Sequence, residues 1–143
     1  MANKRHRVAI IGCGRLGQYY AEAYTTYPDT EIVAIAEFNP ERREQAGRKF
    51  GVTNIYSTAE DLLNDIVPDI AAIVTPSKHY KSAVIACAKA GVKAISTDKP
   101  IAAKLSDVDE MIDTCRSEGS ILAGGILQRA MNENQEVADR LKS

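Results

Sequence analysis

The sequence predicts a doubly wound α/β domain: a parallel sheet of about six strands with helices on both faces. Three observations carry that expectation. Strand-like and helix-like stretches alternate from one end of the chain to the other, and several strand stretches are continuous apolar runs, as expected where both sheet faces are covered. The first of these runs, Val8-Ala9-Ile10-Ile11, feeds the glycine-rich turn Gly12-Cys13-Gly14-Arg15-Leu16-Gly17. In a sheet of this kind crossovers are right-handed and ligands lie beyond the carboxyl ends of the strands, so functional residues are sought at strand ends.

The strands read at 7–12, 31–36, 54–56, 70–74, 92–97 and 121–124. After the glycine turn, Leu16, Tyr20, Ala23, Tyr24 and Tyr27 recur at helical spacing. Asn39 followed by Pro40 gives a capping side chain and a first-turn proline to a helix over 41–50, which Gly51 stops. Ser57-Thr58-Ala59-Glu60 and Ser106-Asp107-Val108-Asp109 have the hydroxyl-x-x-acid form of a helix start, placing helices at 59–65 and 106–117. Gly91 and Gly119 close helices, and a polar helix spans 133–142. With no internal repeat, low-complexity tract or linker, the 143 residues read as one domain, 1–143.

Charge and cysteine content narrow the partners. A net charge of −1 without a clustered basic face offers no electrostatic footprint for nucleic acid or an anionic membrane, leaving small polar or anionic ligands. Lys4-Arg5-His6-Arg7 precedes only a short apolar run before the glycine turn, too short for a signal-peptide core or a membrane span, and the expected location is cytoplasmic. Cys13, Cys87 and Cys115 lack zinc-ligand spacing, so no metal site is expected. Cys87 and Cys115 read as small core hydrophobes. For Cys13 two readings stand, a small loop residue or a redox-sensitive thiol with its pKa lowered at a helix N-terminus.

Within the turn each glycine answers a separate demand. Gly12 makes the tight turn off the strand, Gly14 lets the backbone approach a pyrophosphate, and Gly17 lets the helix pack close. The pyrophosphate would rest on free N–H groups at the start of the next helix. Glu37 stands at the end of the second strand, twenty residues past Gly17, where a carboxylate accepts hydrogen bonds from the adenosine ribose hydroxyls. The pattern therefore points to a dinucleotide cofactor. The acid favours NAD over NADP, since it disfavours a 2′-phosphate, although Arg42 and Arg43 stand close enough in sequence to fold back toward one. The other strand ends nominate Phe38 and Asn39, Thr75-Pro76-Ser77-Lys78-His79, Thr97-Asp98-Lys99-Pro100, and Gly124 to Arg129. At the first of these turns the backbone of Thr75 and Pro76 is the stronger candidate, with His79 either a cofactor contact or a helix-start residue. At the second, Lys99 either hydrogen-bonds a substrate oxygen or forms a solvated pair with Asp98.

Taken together, these residues resemble the Gfo/Idh/MocA family of NAD(P)-dependent oxidoreductases. Residues 8–17 are similar to its glycine loop, 34–42 to its second strand and acid, 75–79 to its threonine-proline turn, and Lys99-Pro100 to the end of its E-K-P motif, with Asp98 in place of the glutamate. Residues 125–132 resemble the segment leading into the last dinucleotide-domain helix, with Ala130 and Met131 where an aromatic is usual. The resemblance implies hydride transfer between a nicotinamide and a sugar, cyclitol or related polyol, with Lys99 the catalytic residue beside the nicotinamide. The implied cofactor contacts are Gly12, Cys13, Gly14, Arg15, Leu16, Gly17, Glu37, Asn39, Thr75, Pro76, His79, Asp98, Lys99 and Pro100. The family's second domain, which shapes the substrate pocket and supplies proton-transfer groups, is expected to be absent from this chain. A fragment without turnover of its own is therefore one reading and a non-catalytic NAD(H)-binding or interaction module another. A methyl-donor nucleotide site is weaker, because it gives Thr75-Pro76 and Lys99-Pro100 no task. Apolar surface at the sheet edge leads to an expectation of self-association.

Overall fold

The branched apolar residues of the first strand explain the sandwich. In β1 (His6–Ile11) Val8 and Ile10 point to one side of the sheet, Ala9 and Ile11 to the other, and all four are buried. Such a strand needs helices on both faces. The computed structural model describes residues 5–125 and 132–142 and supplies them. Around β1 lie α1 (Arg15–Thr26), β2 (Thr30–Ala36), α2 (Pro40–Phe50), β3 (Ile55–Tyr56), α3 (Ala59–Asp65) and β4 (Ile70–Ile73). The chain continues through a 3-10 turn at Ser77–His79 into α4 (Tyr80–Lys89), β5 (Ala94–Asp98), α5 (Leu105–Ser117), β6 (Ile121–Gly125) and α6 (Asn132–Lys142).

The six strands are parallel, in the order β3-β2-β1-β4-β5-β6. The order reverses between β1 and β4, which opens a crevice at their carboxyl ends where the chain leaves to opposite faces. On one face α3, α4 and α5 cover a core that includes Leu62, Val84, Cys87, Met111 and Cys115. On the other, Val8, Ile10, Ile35 and Ala72 meet Cys13, Ala21 and Ala46 from the α1 and α2 side. This is the doubly wound Rossmann arrangement expected from the sequence.

Local details depart from expectation at several points. The buried stripe of α1 is Gly17 and Ala21 with Tyr20 and Tyr24 partly covered, whereas Leu16, Ala23 and Tyr27 are exposed. Tyrosine and alanine carry either environment, so their spacing alone misplaced the stripe by part of a turn. α3 begins at Ala59 as expected, but its cap is Thr58 rather than Ser57. Thr58 accepts from the Asp61 amide at 3.0 Å and donates to Asp61 Oδ2 at 2.7 Å. α5 begins at Leu105 after Lys104 with no side-chain cap, so Ser106 lies inside the helix. The acids near this start serve α4 instead: Lys81 Nζ lies 3.1 Å from Asp107 and 2.5 Å from Glu110. The fifth strand starts at Ala94 rather than at Val92, whose amide turns back to Cys87 O at 3.1 Å after Gly91 with φ 92°. Among the described residues no helix is long and apolar enough to cross a membrane.

Candidate functional site

A cavity of about 630 Å³ opens at the crevice between the carboxyl ends of β1 and β4. Its floor is the glycine turn, whose glycines differ sharply in surroundings. Gly12 has φ 95°, and a Cβ there would lie 2.6 Å from Val74 O. A Cβ on Gly17 would come within 1.9 Å of Gly12 O, so the first turn of α1 closes directly over the loop's own backbone. Around Gly14, by contrast, nothing lies within 4 Å of a Cβ position. Gly14 is also the N-cap of α1, which has no side-chain cap and no acid in its first turn. α2 and α3 are both capped by side chains, Asn39 on the Arg42 amide and Thr58 on the Asp61 amide. α1 thus presents uncapped N–H donors beside an open glycine, which suits an anionic ligand.

Glu37, immediately after β2, forms the adjacent wall. Its side chain is only 6% exposed, and both carboxylate oxygens are engaged. Oε2 accepts from the Cys13 amide at 2.8 Å, while Oε1 accepts from the Asn39 amide at 2.9 Å and from Arg42 Nε and Nη2 at 3.3 and 2.9 Å. Burial by itself raises the Glu37 pKa, but the bonds from Asn39, Cys13 and Arg42 outweigh it and hold the group below its ordinary value. One carboxylate therefore ties the glycine turn to the start of α2.

That tie settles Cys13. The thiol is fully buried, and burial first, then the neighbouring Glu37 charge, pushes its pKa up to about 12. The reading of Cys13 as a redox-sensitive, low-pKa thiol is overturned: its side chain packs into the core, and α1 begins beyond it at Arg15.

The sequence-nominated residues divide into three groups. Gly12, Gly14, Glu37, Thr75, Pro76 and His79 line the cavity together. Cys13, Gly17 and Asn39 support its walls from behind, and Arg15 and Leu16 lie exposed on the first turn of α1. Asp98, Lys99 and Pro100 end β5 outside the cavity lining; Lys99 and Pro100 are exposed, and Asp98 is half-buried. Asp98 faces Tyr20 from α1 and Tyr80 from α4, and both phenols have raised pKa values, from burial first and from the Asp98 charge next. Of the last strand end, Gly124 and Gly125 belong to β6, and the stretch to Arg129, with Ala130 and Met131, lies outside the described residues.

Phe38 and Arg42, which the sequence nominated, also line the cavity, whereas sequence reasoning missed Ser57, Thr58, Glu60 and Ser82. Ser57 to Glu60 follow β3, a strand end like the others, and the same rule applied to that two-residue strand would have found them. Phe38 is 86% exposed at the cavity rim, a position in which an aromatic ring has no core partner.

Comparison with known proteins agrees with this geometry. Residues 6–126 match the model of an oxidoreductase family described by its NAD-binding Rossmann fold. Myo-inositol 2-dehydrogenase of Thermotoga maritima is 32% identical over 123 residues, covering 86% of this chain and 36% of that protein. D-apiose dehydrogenase of Paraburkholderia graminis is 34% identical over 116 residues, covering 81% of this chain and 31% of the relative. Among solved structures, the WlbA dehydrogenase of Bordetella pertussis, in complex with NADH and UDP-GlcNAcA, superposes with a TM-score of 0.92 at 26% identity, covering 97% of this chain and 42% of that one. The chain thus spans about a third of the length of these curated relatives.

Proposed function

The chain belongs to the Gfo/Idh/MocA oxidoreductase family, as a nicotinamide-dinucleotide-binding Rossmann domain, and from that premise we propose that it is the cofactor-holding part of a dehydrogenase acting on a sugar, cyclitol or related polyol. The observation that carries the cofactor reading is the uncapped start of α1 beside the open Gly14, in the same cavity as Glu37 and Thr75-Pro76. The α1 amides would take the pyrophosphate, Glu37 the adenosine ribose, and the Thr75-Pro76 turn and His79 the opposite wall. NAD is the expected cofactor, with NADP admitted. A bound nicotinamide would supply the hydride acceptor or donor. Lys99, exposed where β5 ends, is the residue proposed to donate a hydrogen bond to the substrate oxygen and stabilise charge developing there. The related enzymes named above support the substrate class by their names, and their greater length supports a second domain as the source of the remaining groups.

The direct test is a thermal melt of the 143-residue chain with excess NAD, NADH or NADPH. At about a hundredfold excess over Kd a native-state ligand adds about 2.7 kcal/mol, a rise on the order of 5–10 °C. No rise with any of them, in a sample that melts cooperatively, would remove the reading. In a polyol-oxidising parent, Lys99→Ala is expected to abolish most turnover, and full turnover would take Lys99 out of the mechanism. A non-catalytic NAD(H) module remains the second reading, favoured by the position of Lys99 outside the cavity lining, and distinguished by cofactor binding without turnover in any longer form. The reading takes the cytoplasm as its compartment, which the three buried unpaired thiols suit. Exposed Ile121 on β6, with Val137 and Leu141 on α6, supports self-association of the chain, to be checked by light scattering, where a monodisperse monomer would exclude it.

A further inference from the structure

β5 ends at Asp98, and two helices reach that residue from opposite faces of the sheet. Tyr20 comes from α1, packed on one core, and Tyr80 from α4, buried in the other. The Tyr20 hydroxyl donates to the Asp98 carboxylate, and the Asp98 amide donates to the Tyr80 hydroxyl. β6 leaves room for the first of these bonds. Its Gly125 is the register partner of Asp98, and a Cβ there would lie 3.0 Å from Tyr20 Oη, 3.0 Å from Asp98 Cα and 2.7 Å from Thr97 O. A side chain at that position would compete with the phenol for its place on the strand. The ion pairs formed among the described residues include neither Asp98 nor Lys99, so the acid answers to the phenols and not to its neighbour.

Resting on the readings of α1 as the pyrophosphate site and of Lys99 as the substrate-facing amine, we propose that Tyr20 is a positioning residue for Lys99. By holding the Asp98 carboxylate it sets where the end of β5 stands relative to a cofactor bound at the start of α1. An O–H on a carboxylate is a short, directional bond, whereas an ammonium on a flexible four-carbon stem is placed by the backbone that carries it. Fixing Asp98 therefore fixes the point from which Lys99 departs. Tyr20 lies about 9 Å along the helix from the Gly14 cap, so one rigid element touches both the phosphate site and the strand end that bears the lysine.

The test is acylation of the 143-residue chain by a succinimidyl ester, with and without NADH, the label being read by mass spectrometry on Lys99 and on exposed Lys93, which precedes β5 at its other end. Saturating NADH is expected to slow labelling of Lys99 by about fivefold or more and to leave Lys93 unchanged. Tyr20→Phe removes the hydroxyl and keeps the ring that packs on the core. In that variant the protection of Lys99 is expected to fall below about twofold while the calorimetric Kd for NADH moves by less than about threefold, a split that damage to the fold would not produce. In urea melts, Tyr20→Phe and Asp98→Ala are expected to be coupled, the double variant falling short of the product of the two losses by about fivefold or more in the unfolding constant. Full protection of Lys99 in Tyr20→Phe, or losses that simply multiply, would overturn the positioning role while leaving the cofactor site and Lys99 standing. NADH binding that leaves Lys99 labelling unchanged in the unaltered chain would take Lys99 away from the cofactor, and the proposal with it. Binding of no dinucleotide by a cooperatively folded chain would overturn the dinucleotide reading itself and everything resting on it.

Discussion

The turn after β1 and the turn after β5 close strands of the same sheet, and among the described residues the first is the more completely partnered. At the first, the loop backbone packs on itself at Gly17, Glu37 holds the Cys13 amide, and every buried polar atom named has a partner. At the second, Lys99 is exposed, and the buried hydroxyls of Ser96 and Thr97 have no partner among the described residues. A site that binds a cofactor gains from being preformed, because little ordering cost then falls on binding. A site that handles substrate can be completed by groups from elsewhere, and the greater length of the relatives makes that the natural source.

The sharpest way to break the contrast is to substitute within the glycine turn itself. Gly17→Ala places a methyl group 1.9 Å from Gly12 O, against backbone that does not yield, and is expected to cost about 3 kcal/mol or more of stability in a chemical melt. Gly14→Ala meets nothing within 4 Å and is expected to leave stability within about 0.5 kcal/mol while weakening dinucleotide binding. If the two variants were equally stable, the turn would not be the self-packed unit described here.

Next in size is Glu37→Gln. Replacing a buried carboxylate that accepts two backbone amides and a guanidinium is expected to cost about 2 kcal/mol near neutral pH. The pH dependence follows from its lowered pKa. A carboxylate depressed in the folded state adds stability that is fully present above the ordinary value of 4.5 and is lost as pH falls through the depressed one. The acid limb of stability should therefore be shallower in Glu37→Gln than in the unaltered chain when urea melts are run between neutral pH and about pH 3. Parallel limbs would mean that other carboxylates govern acid unfolding.

The same contrast explains what could be read from the sequence. Strand order, covered faces and the glycine turn rest on backbone-level constraints, and those leave marks in residue type: runs of Val, Ile and Ala, and glycines where Gly12 has φ 95° and Gly17 lacks room. The engagement of Glu37 rests on where Arg42 and the Cys13 amide arrive in space, and no spacing rule specifies that. Arg42 at i+5 from Glu37 could as readily have faced solvent. The cap at Asn39 was legible because it is purely local, its side chain accepting the Arg42 amide at 2.9 Å. Asn39→Ala is expected to cost about 1 kcal/mol, read as a lowered Tm. No measurable loss would show that the start of α2 does not depend on this cap.

The smallest effect lies at the β5 end and has the opposite sign. Thr97 is fully buried on the α4 and α5 face of β5, between Ile73 of β4 and Gly124 of β6, and its hydroxyl has no described partner. A buried hydroxyl without a hydrogen bond opposes folding, so Thr97→Val, which keeps the branched shape favoured in a strand, is expected to stabilise the chain by about 0.5–1 kcal/mol, or about 2–4 °C in Tm. A gain in stability would mark the β5 end, next to Asp98 and Lys99, as the less completely partnered of the two strand ends. Destabilisation by Thr97→Val would show instead that the hydroxyl is already satisfied in the folded chain, and the second turn would then be as finished as the first.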